Sequence, residues 1–366
     1  MIKVLTLVGT RPELIRLSAL ISAIDHDNAF EHVFVHTGQN AQSYLKDTFF
    51  EDLNLRHPDI TWEAGSFIDP LHLQTIEHKL IALCHQFKPN YCLVLGDTYS
   101  AKVALIVRKL GVRLIHLEAG NRCYDPLSPE EKNRKLLDQQ ADINGCYSHE
   151  SLQHLLEEQC LQSHFVTGSP LREVYRKLEK KMETSTILEK LDLQPQSYFI
   201  WSTHRAENVD HPEVFQRLLN TLENLTKTYP SFPIWVTGHP RFIDRLHAKE
   251  WSKPSQIKLH EPFRIVDYLR LMKDSLFVLS DSGSLNEEAD IVGFHGINLR
   301  QSHERDEAEK FPITTLSHFD WESIHQTIQK NKNTPPLKNR VEAYQVVDFS
   351  NRVIQFVKRH YLEMRS

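Results

Sequence analysis

The sequence lacks what would take it to a membrane, a nucleic acid or an oxidising compartment. Nowhere does an apolar run approach the roughly 20 residues that a membrane helix requires. Residues 1–13 (MIKVLTLVGTRPE) hold only a short apolar run leading into a charged loop, so no cleavable leader is expected and the cytoplasm is the expected location. Lys and Arg number 43 against 48 Asp and Glu, a formal net charge of −5. Without a basic surplus, bulk nucleic-acid binding is excluded, while a local basic pocket for a small phosphorylated ligand is not. Cysteines are few. Cys84, Cys92, Cys123, Cys146 and Cys160 are odd in number, and no pair has C-x-x-C spacing. They read as reduced, mostly buried thiols rather than a disulfide framework or a zinc site. Neither G-x-x-x-x-G-K-S/T nor G-x-G-x-x-G occurs, which disfavours a P-loop ATPase and an ordinary NAD enzyme. Short-period repeats and low-complexity tracts are also missing.

What is present is a two-domain α/β pattern. The 366 residues suffice for two ordinary domains. Apolar runs at 4–8, 32–36, 91–95, 113–117 and 163–167 predict strands, with helical stretches such as 14–24 and 98–110 between them. Near-continuous apolar strands alternating with helices indicate βαβ units and parallel sheets covered on both faces. The pattern restarts at 198–203, 233–237, 256–260, 276–280 and 296–299. A polar seam at 171–191 separates the two series, Pro335-Pro336 marks a second break, and 341–361 predicts a last long helix. The expected domains are therefore 1–168 and 169–340, with 341–366 returning to the first. Two doubly wound domains would leave a cleft at the carboxyl ends of their strands, where ligands bind.

The chemically loaded residues fall at those ends. Strand one runs into Gly9-Thr10-Arg11-Pro12-Glu13, where Arg11 and Arg16 could meet phosphate or simply be solvated. Asp97 follows Gly96, as a cleft acid or as a helix cap. Glu118 closes an apolar strand, where burial would suit it to proton transfer. Glu130 begins a helix (PEEKNR), as a third acid or a dipole complement. His204 and His239 follow equivalent strands of the second domain, and either could be structural. Ser282, Gly283 and Ser284 would turn backbone N–H groups toward an anion, with Glu288 one turn further on the same face for ribose hydroxyls.

Taken together, GTRPE, GDT, EAG, PEEKNR, HRAEN, GHP and DSGSLNEE, in this order from Gly9 to about Arg305, resemble the non-hydrolysing UDP-N-acetylglucosamine 2-epimerase family. The strings GTRPELIRLS, HTGQN, FFEDLNLRHPD, EAGNRCYD, ADIN, TGSP and NLRQSHER look most like its branch forming UDP-N-acetyl-L-fucosamine for bacterial surface polysaccharide. The resemblance implies a GT-B fold and a homodimer. Its substrate would be a UDP-linked 2-acetamido sugar, and it implies no metal or redox cofactor. The implied chemistry is removal of the C2 proton with loss of UDP to a glycal, then re-addition on the opposite face. It assigns Asp97, Glu118 and Glu130 as the acid–base set and places His204 near the departing phosphate. It gives UDP and sugar binding to Arg11, Arg16, Arg134, His239, Ser282, Gly283, Ser284, Glu288, Glu304 and Arg305.

Two departures stand out. His303-Glu304-Arg305-Asp306-Glu307 replaces the usual H-E-R-P-E, and 308–312 replaces a glycine-bearing stretch. Thr37-Gly38-Gln39-Asn40 stands where some members carry a glutamine-histidine-arginine string, so their allosteric site is not carried over. The competing readings are a hydrolysing 2-epimerase, a GT-B glycosyltransferase and an inactive sugar-nucleotide-binding regulator. The GTRPE start and NLRQSHER disfavour the first, and the three N-terminal acids disfavour the second. The retained Asp97, Glu118, Glu130 and His204 disfavour the third.

Overall fold

The computed structural model describes all residues except 40–46, 66, 68, 125–127, 204, 238, 239, 250, 302–306 and 366. It divides into two compact units, Met1–Lys177 with Glu342–Ser366, and Leu178–Val341. Each is built around one parallel sheet.

In the first unit the strands are β1 (Ile2–Val8), β2 (Phe30–His36), β3 (Ile60–Thr61), β4 (Tyr91–Leu95), β5 (Arg113–Ala119), β6 (Ile143–Cys146) and β7 (Ser163–Val166). Their order is β3-β2-β1-β4-β5-β6-β7, all parallel. In the second unit β8 (Phe199–Ser202), β9 (Ile234–Thr237), β10 (Ile257–His260), β11 (Phe277–Ser280), β12 (Gly296–Asn298) and β13 (Thr314–Leu316) take the order β10-β9-β8-β11-β12-β13. These too are parallel.

The strand order reverses between β1 and β4 in one sheet and between β8 and β11 in the other. Connections leave these neighbouring strands toward opposite faces, so a crevice opens at their carboxyl ends. The segments at those two points are Gly9–Glu13 beside Gly96–Thr98, and Thr203 and Arg205 beside Asp281–Ser284. Topology alone therefore selects four of the segments that carry candidate chemistry.

Several sequence expectations need correction. β3 and β13 escaped notice because two or three residues carry no periodicity. The expected helix 98–110 is an α-helix only over Tyr99–Val103, and Ala104–Leu110 is a 3-10 helix. The last long helix spans Phe349–Glu363, not 341–361. Val341 is instead held in the second unit, its N–H donating to Asp290 at 3.3 Å.

The helix Phe349–Glu363 closes the first sheet. Val353, Ile354 and Val357 line one apolar space with Val4, Leu93 and Ile115. Phe356 stacks on Phe165 at 4.0 Å between centroids. Fully burying three such side chains contributes about 5–9 kcal/mol, as large as the whole net stability of many domains. Among the described residues no helix is long and apolar enough to cross a membrane.

Candidate active site

The loop after β1 is built by a helix cap. Thr10 caps the helix Arg11–Asp25, and Pro12 fits its first turn. Glu13 completes the capping box. Its Oε2 accepts from the N–H of Gly9 at 2.9 Å, the N–H of Thr10 at 2.8 Å and the Thr10 hydroxyl at 2.8 Å. Its Oε1 accepts from the Thr98 hydroxyl at 2.9 Å. Glu13 is 2% exposed, and burial pushes its carboxyl up to about 7 against the pull of these donors. Arg11 lies half-buried over the Phe49 ring at 5.5 Å. Arg16 is buried and reaches the Tyr147 hydroxyl at 3.5 Å.

Among the described candidates Glu118 has the most unusual backbone. The β5–β6 register shifts between Leu117 and Ala119, making Glu118 the extra residue of a bulge, and its φ is +69°. A side chain in the left-handed region costs about 1–3 kcal/mol and persists only where the surroundings impose it. The bulge re-aims the carboxylate toward Gly96, where an added Cβ would lie 3.7 Å from Glu118 Oε2. Oε1 accepts from Asn121 Nδ2 at 3.3 Å and Oε2 from the Tyr147 hydroxyl at 3.3 Å. Tyr147 thereby links Arg16 to Glu118.

Asp97 is ion-paired with Arg134 through a short contact, and Arg134 also reaches Glu131 at 2.9 Å. Arg134 is buried in the helix Pro129–Gln140, which Ser128 caps. Glu130 lies exposed in the first turn of that helix and accepts from the Ser128 hydroxyl at 3.0 Å. Arg134, assigned to UDP or sugar by resemblance, is thus the group the structure sets on Asp97.

Beneath these residues runs a buried polar chain that the sequence reading did not single out. His116 Nε2 donates to the Gly96 carbonyl at 2.9 Å, and Nδ1 stands 3.0 Å from Asp138. Asp138 accepts from Arg122 at 2.7 Å and from the N–H of Gly120. Arg122 continues to Glu158 at 2.6 Å. Burial works to raise the Asp138 carboxyl, but His116 and Arg122 hold it below the ordinary range. The one signal in sequence was a histidine inside the apolar run of β5. Tyr147 was missed because β6, Ile143–Cys146 (INGC), does not look like a strand.

In the second unit Asp281 is fully buried and accepts from the N–H of Arg205 and from Asn208 Nδ2, both at 3.0 Å. It ties the end of β11 to the segment after β8. The N–H of Ser282 is engaged by the Ser280 hydroxyl at 3.1 Å, and that of Ser284 by the Ser282 hydroxyl at 3.3 Å. Serine hydroxyls thus occupy two N–H groups expected to face an anion. Glu288 is half-buried, and its N–H donates to the Ser284 carbonyl at 2.8 Å. His204, His239, Glu304 and Arg305 lie outside the described residues.

The arrangement in the first unit offers two carboxylates at neighbouring strand ends, Glu118 accepting from Asn121 and Tyr147 and Asp97 paired with Arg134. That is the equipment for moving a proton beside an anionic group.

Residues 22–358 match the protein family described as UDP-N-acetylglucosamine 2-epimerase. The chain is 30% identical over 341 residues to the UDP-N-acetylglucosamine 2-epimerase of Methanococcus maripaludis, covering 90% of this chain and 92% of that one. It is 31% identical over 312 residues to a UDP-2,3-diacetamido-2,3-dideoxy-D-glucuronate 2-epimerase of Pseudomonas aeruginosa, covering 82% and 84%. The structure of the Methanocaldococcus jannaschii UDP-GlcNAc 2-epimerase in complex with UDP-GlcNAc and UDP matches with a TM-score of 0.89 at 26% identity, over 98% of this chain and 100% of that one. Two parallel-sheet α/β domains of the GT-B kind are common to both.

Proposed function

Because the chain belongs to the UDP-N-acetylglucosamine 2-epimerase family, we propose that it inverts C2 of a UDP-linked 2-acetamido sugar. The observation that carries this reading is the pairing of Asp97 and Glu118 at adjacent strand ends. Inversion at C2 takes a proton from one face and delivers one to the other, so two acid–base groups are needed. Loss of the C2 proton pushes electrons into a C1–C2 double bond as the C1–O bond to UDP breaks. The reverse step adds a proton at C2 and UDP at C1. Nothing is oxidised or reduced.

In this reading Glu118, aimed toward Gly96 by the bulge and hydrogen-bonded by Asn121 and Tyr147, accepts the C2 proton. Asp97 and Glu130 complete the acid–base set. Arg11 and Arg16 supply positive charge for the diphosphate, while Arg134 acts through Asp97, with which it is paired. Ser282, Gly283, Ser284 and Glu288 hold UDP, with His204 close to the departing phosphate and His239, Glu304 and Arg305 as further substrate-binding residues.

The branch strings support UDP-2-acetamido-2,6-dideoxy-L-talose as substrate and UDP-N-acetyl-L-fucosamine as product, for bacterial capsule or O-antigen. UDP-N-acetylglucosamine and its manno epimer are the second pair to try.

NMR in deuterated water with a panel of UDP-N-acetyl sugars tests the proposal. A new UDP-sugar carrying deuterium at C2 is the expected result. Free sugar plus UDP would mean a hydrolysing enzyme. No C2 exchange with any member of the panel would overturn the reading.

A further inference from the structure

The string after β2 and the acid of GTRPE have no part in the chemistry above, yet they converge under it. Glu13 takes three donors from its own loop with Oε2 and one donor from Thr98 with Oε1. Thr98 is the residue after Asp97. Its hydroxyl also accepts from the N–H of Ala101 at 3.1 Å, as the cap of the helix Tyr99–Val103, so its orientation is fixed from both sides. A second tie runs beside the first. Gln39 Oε1, after β2, accepts from the N–H and the hydroxyl of Ser100 at 3.0 and 2.8 Å. The Ser100 hydroxyl lies 2.6 Å from that of Thr37. Gly9 fills the centre. A Cβ there would fall 1.9 Å from Ser100 Oγ and 2.5 Å from Thr37 Oγ1, so the three loops meet with no room for a side chain.

We infer that Glu13 is a positioning residue that locks the Arg11 loop after β1 to the Asp97 turn after β4. A carboxylate with two oxygens can serve two loops at once, and its burial makes each unmade contact costly. The lock fixes the distance between a cation that steadies the leaving diphosphate and an acid that works at C2. A misplacement near 1 Å between such groups lowers turnover by about a hundredfold. The step most exposed to it is re-addition, when glycal and UDP must both be held.

This inference rests on the epimerase reading, so its test has one arm that needs no turnover. The variants are Glu13→Gln, Thr98→Val and the pair together, with Thr98→Ser as the conservative control. In the first arm, hydrogen exchange of the ligand-free protein is followed in residues 9–14 and 96–101. Glu13→Gln is expected to speed exchange in both segments, and Thr98→Ser in neither. Faster exchange confined to 9–14 would reduce Glu13 to a helix cap and overturn the proposal. In the second arm, the ratio of released glycal to epimerised product is measured. Glu13→Gln and Thr98→Val should each raise it about tenfold, and the pair no further, because both remove one link. A lower melting temperature with an unchanged ratio would overturn it. Should the wild type exchange no C2 proton, the epimerase reading fails while the first arm still decides the lock.

Discussion

Glu118 spends stability to aim a carboxylate. Its φ of +69° at the bulge of β5 is a conformation that glycine would adopt without strain. Glu118→Gly should therefore raise stability by about 1 kcal/mol while abolishing turnover. Glu118→Gln and Asp97→Asn should leave the fold intact and lower kcat by about 10²–10⁴-fold. Melting curves and kcat on the same preparations check both, and wild-type turnover in either isostere would remove that acid from the mechanism. Glu13 gives a pH signature. Its carboxyl is raised from 4.5 to about 7, so the folded chain holds that proton more tightly than the unfolded chain does. The resulting stability is fully present below pH 4.5 and is lost as pH rises from 4.5 to 7. Its size is about 3 kcal/mol. Asp138 has the opposite sign, its stabilisation being lost only as pH falls below the ordinary carboxylate range. Urea midpoints between about pH 5 and 8 should fall in wild type more steeply than in Glu13→Gln. Parallel slopes would show that burial does not control Glu13. Residues such as Asp97 were legible because an acid after an apolar run marks a strand's carboxyl end. Its pairing with Arg134 was not, because a helix-to-strand distance is a tertiary quantity that spacing does not encode.

The elements show the same division. β1, β4, β5, β8 and β11 were legible because buried parallel strands are apolar throughout. The 3-10 helix Ala104–Leu110 was not, because its composition is that of an α-helix and the difference is only in hydrogen-bond register. The bulge in β5 was also hidden, since nothing in RLIHLEA marks one residue as extra to the pairing. Two residues beyond Glu118, Gly120, at φ +80°, brings the chain against the helix His149–Glu157. A Cβ on Gly120 would lie 2.0 Å from the Ser151 carbonyl oxygen. Gly120→Ala should then cost about 3 kcal/mol or more and disable the site. Gly111 also has a positive φ, +76°, but has nothing within 4 Å of an added Cβ. Gly111→Ala should cost only about 1 kcal/mol. Equal losses in the two variants, read by denaturant unfolding, would show that close packing at Gly120 adds no cost of its own.

At the scale of the whole chain, each unit has a hydrophobic core of its own, around Leu5, Val94 and Leu114 in the first and Trp201, Leu222 and Leu279 in the second. The second unit is one continuous stretch, while the first is split around it. The helix Phe349–Glu363 is the first unit's cover. Besides its apolar face, Ser350 N–H donates to Glu173 at 2.8 Å, Lys358 to Asp27 at 2.6 Å, and the Tyr91 hydroxyl meets His360 at 2.8 Å.

That split has a consequence for biosynthesis. Translation delivers β1 to β7 first, then all of Leu178–Val341, and only afterwards the helix that covers Val4, Leu93 and Ile115. Domains fold as units during synthesis, at about 5–20 residues per second. The first sheet must therefore wait about 10–40 seconds with an apolar face bare while its neighbour in sequence is made and folds. A chain ended after Val341 should yield a protease-resistant core mapping to 178–341 and a digestible 1–177. Equal protection of both would mean that the first sheet matures without its cover. The half that leaves the ribosome first is the half that finishes last, and the waiting interval is where a chaperone would find its client.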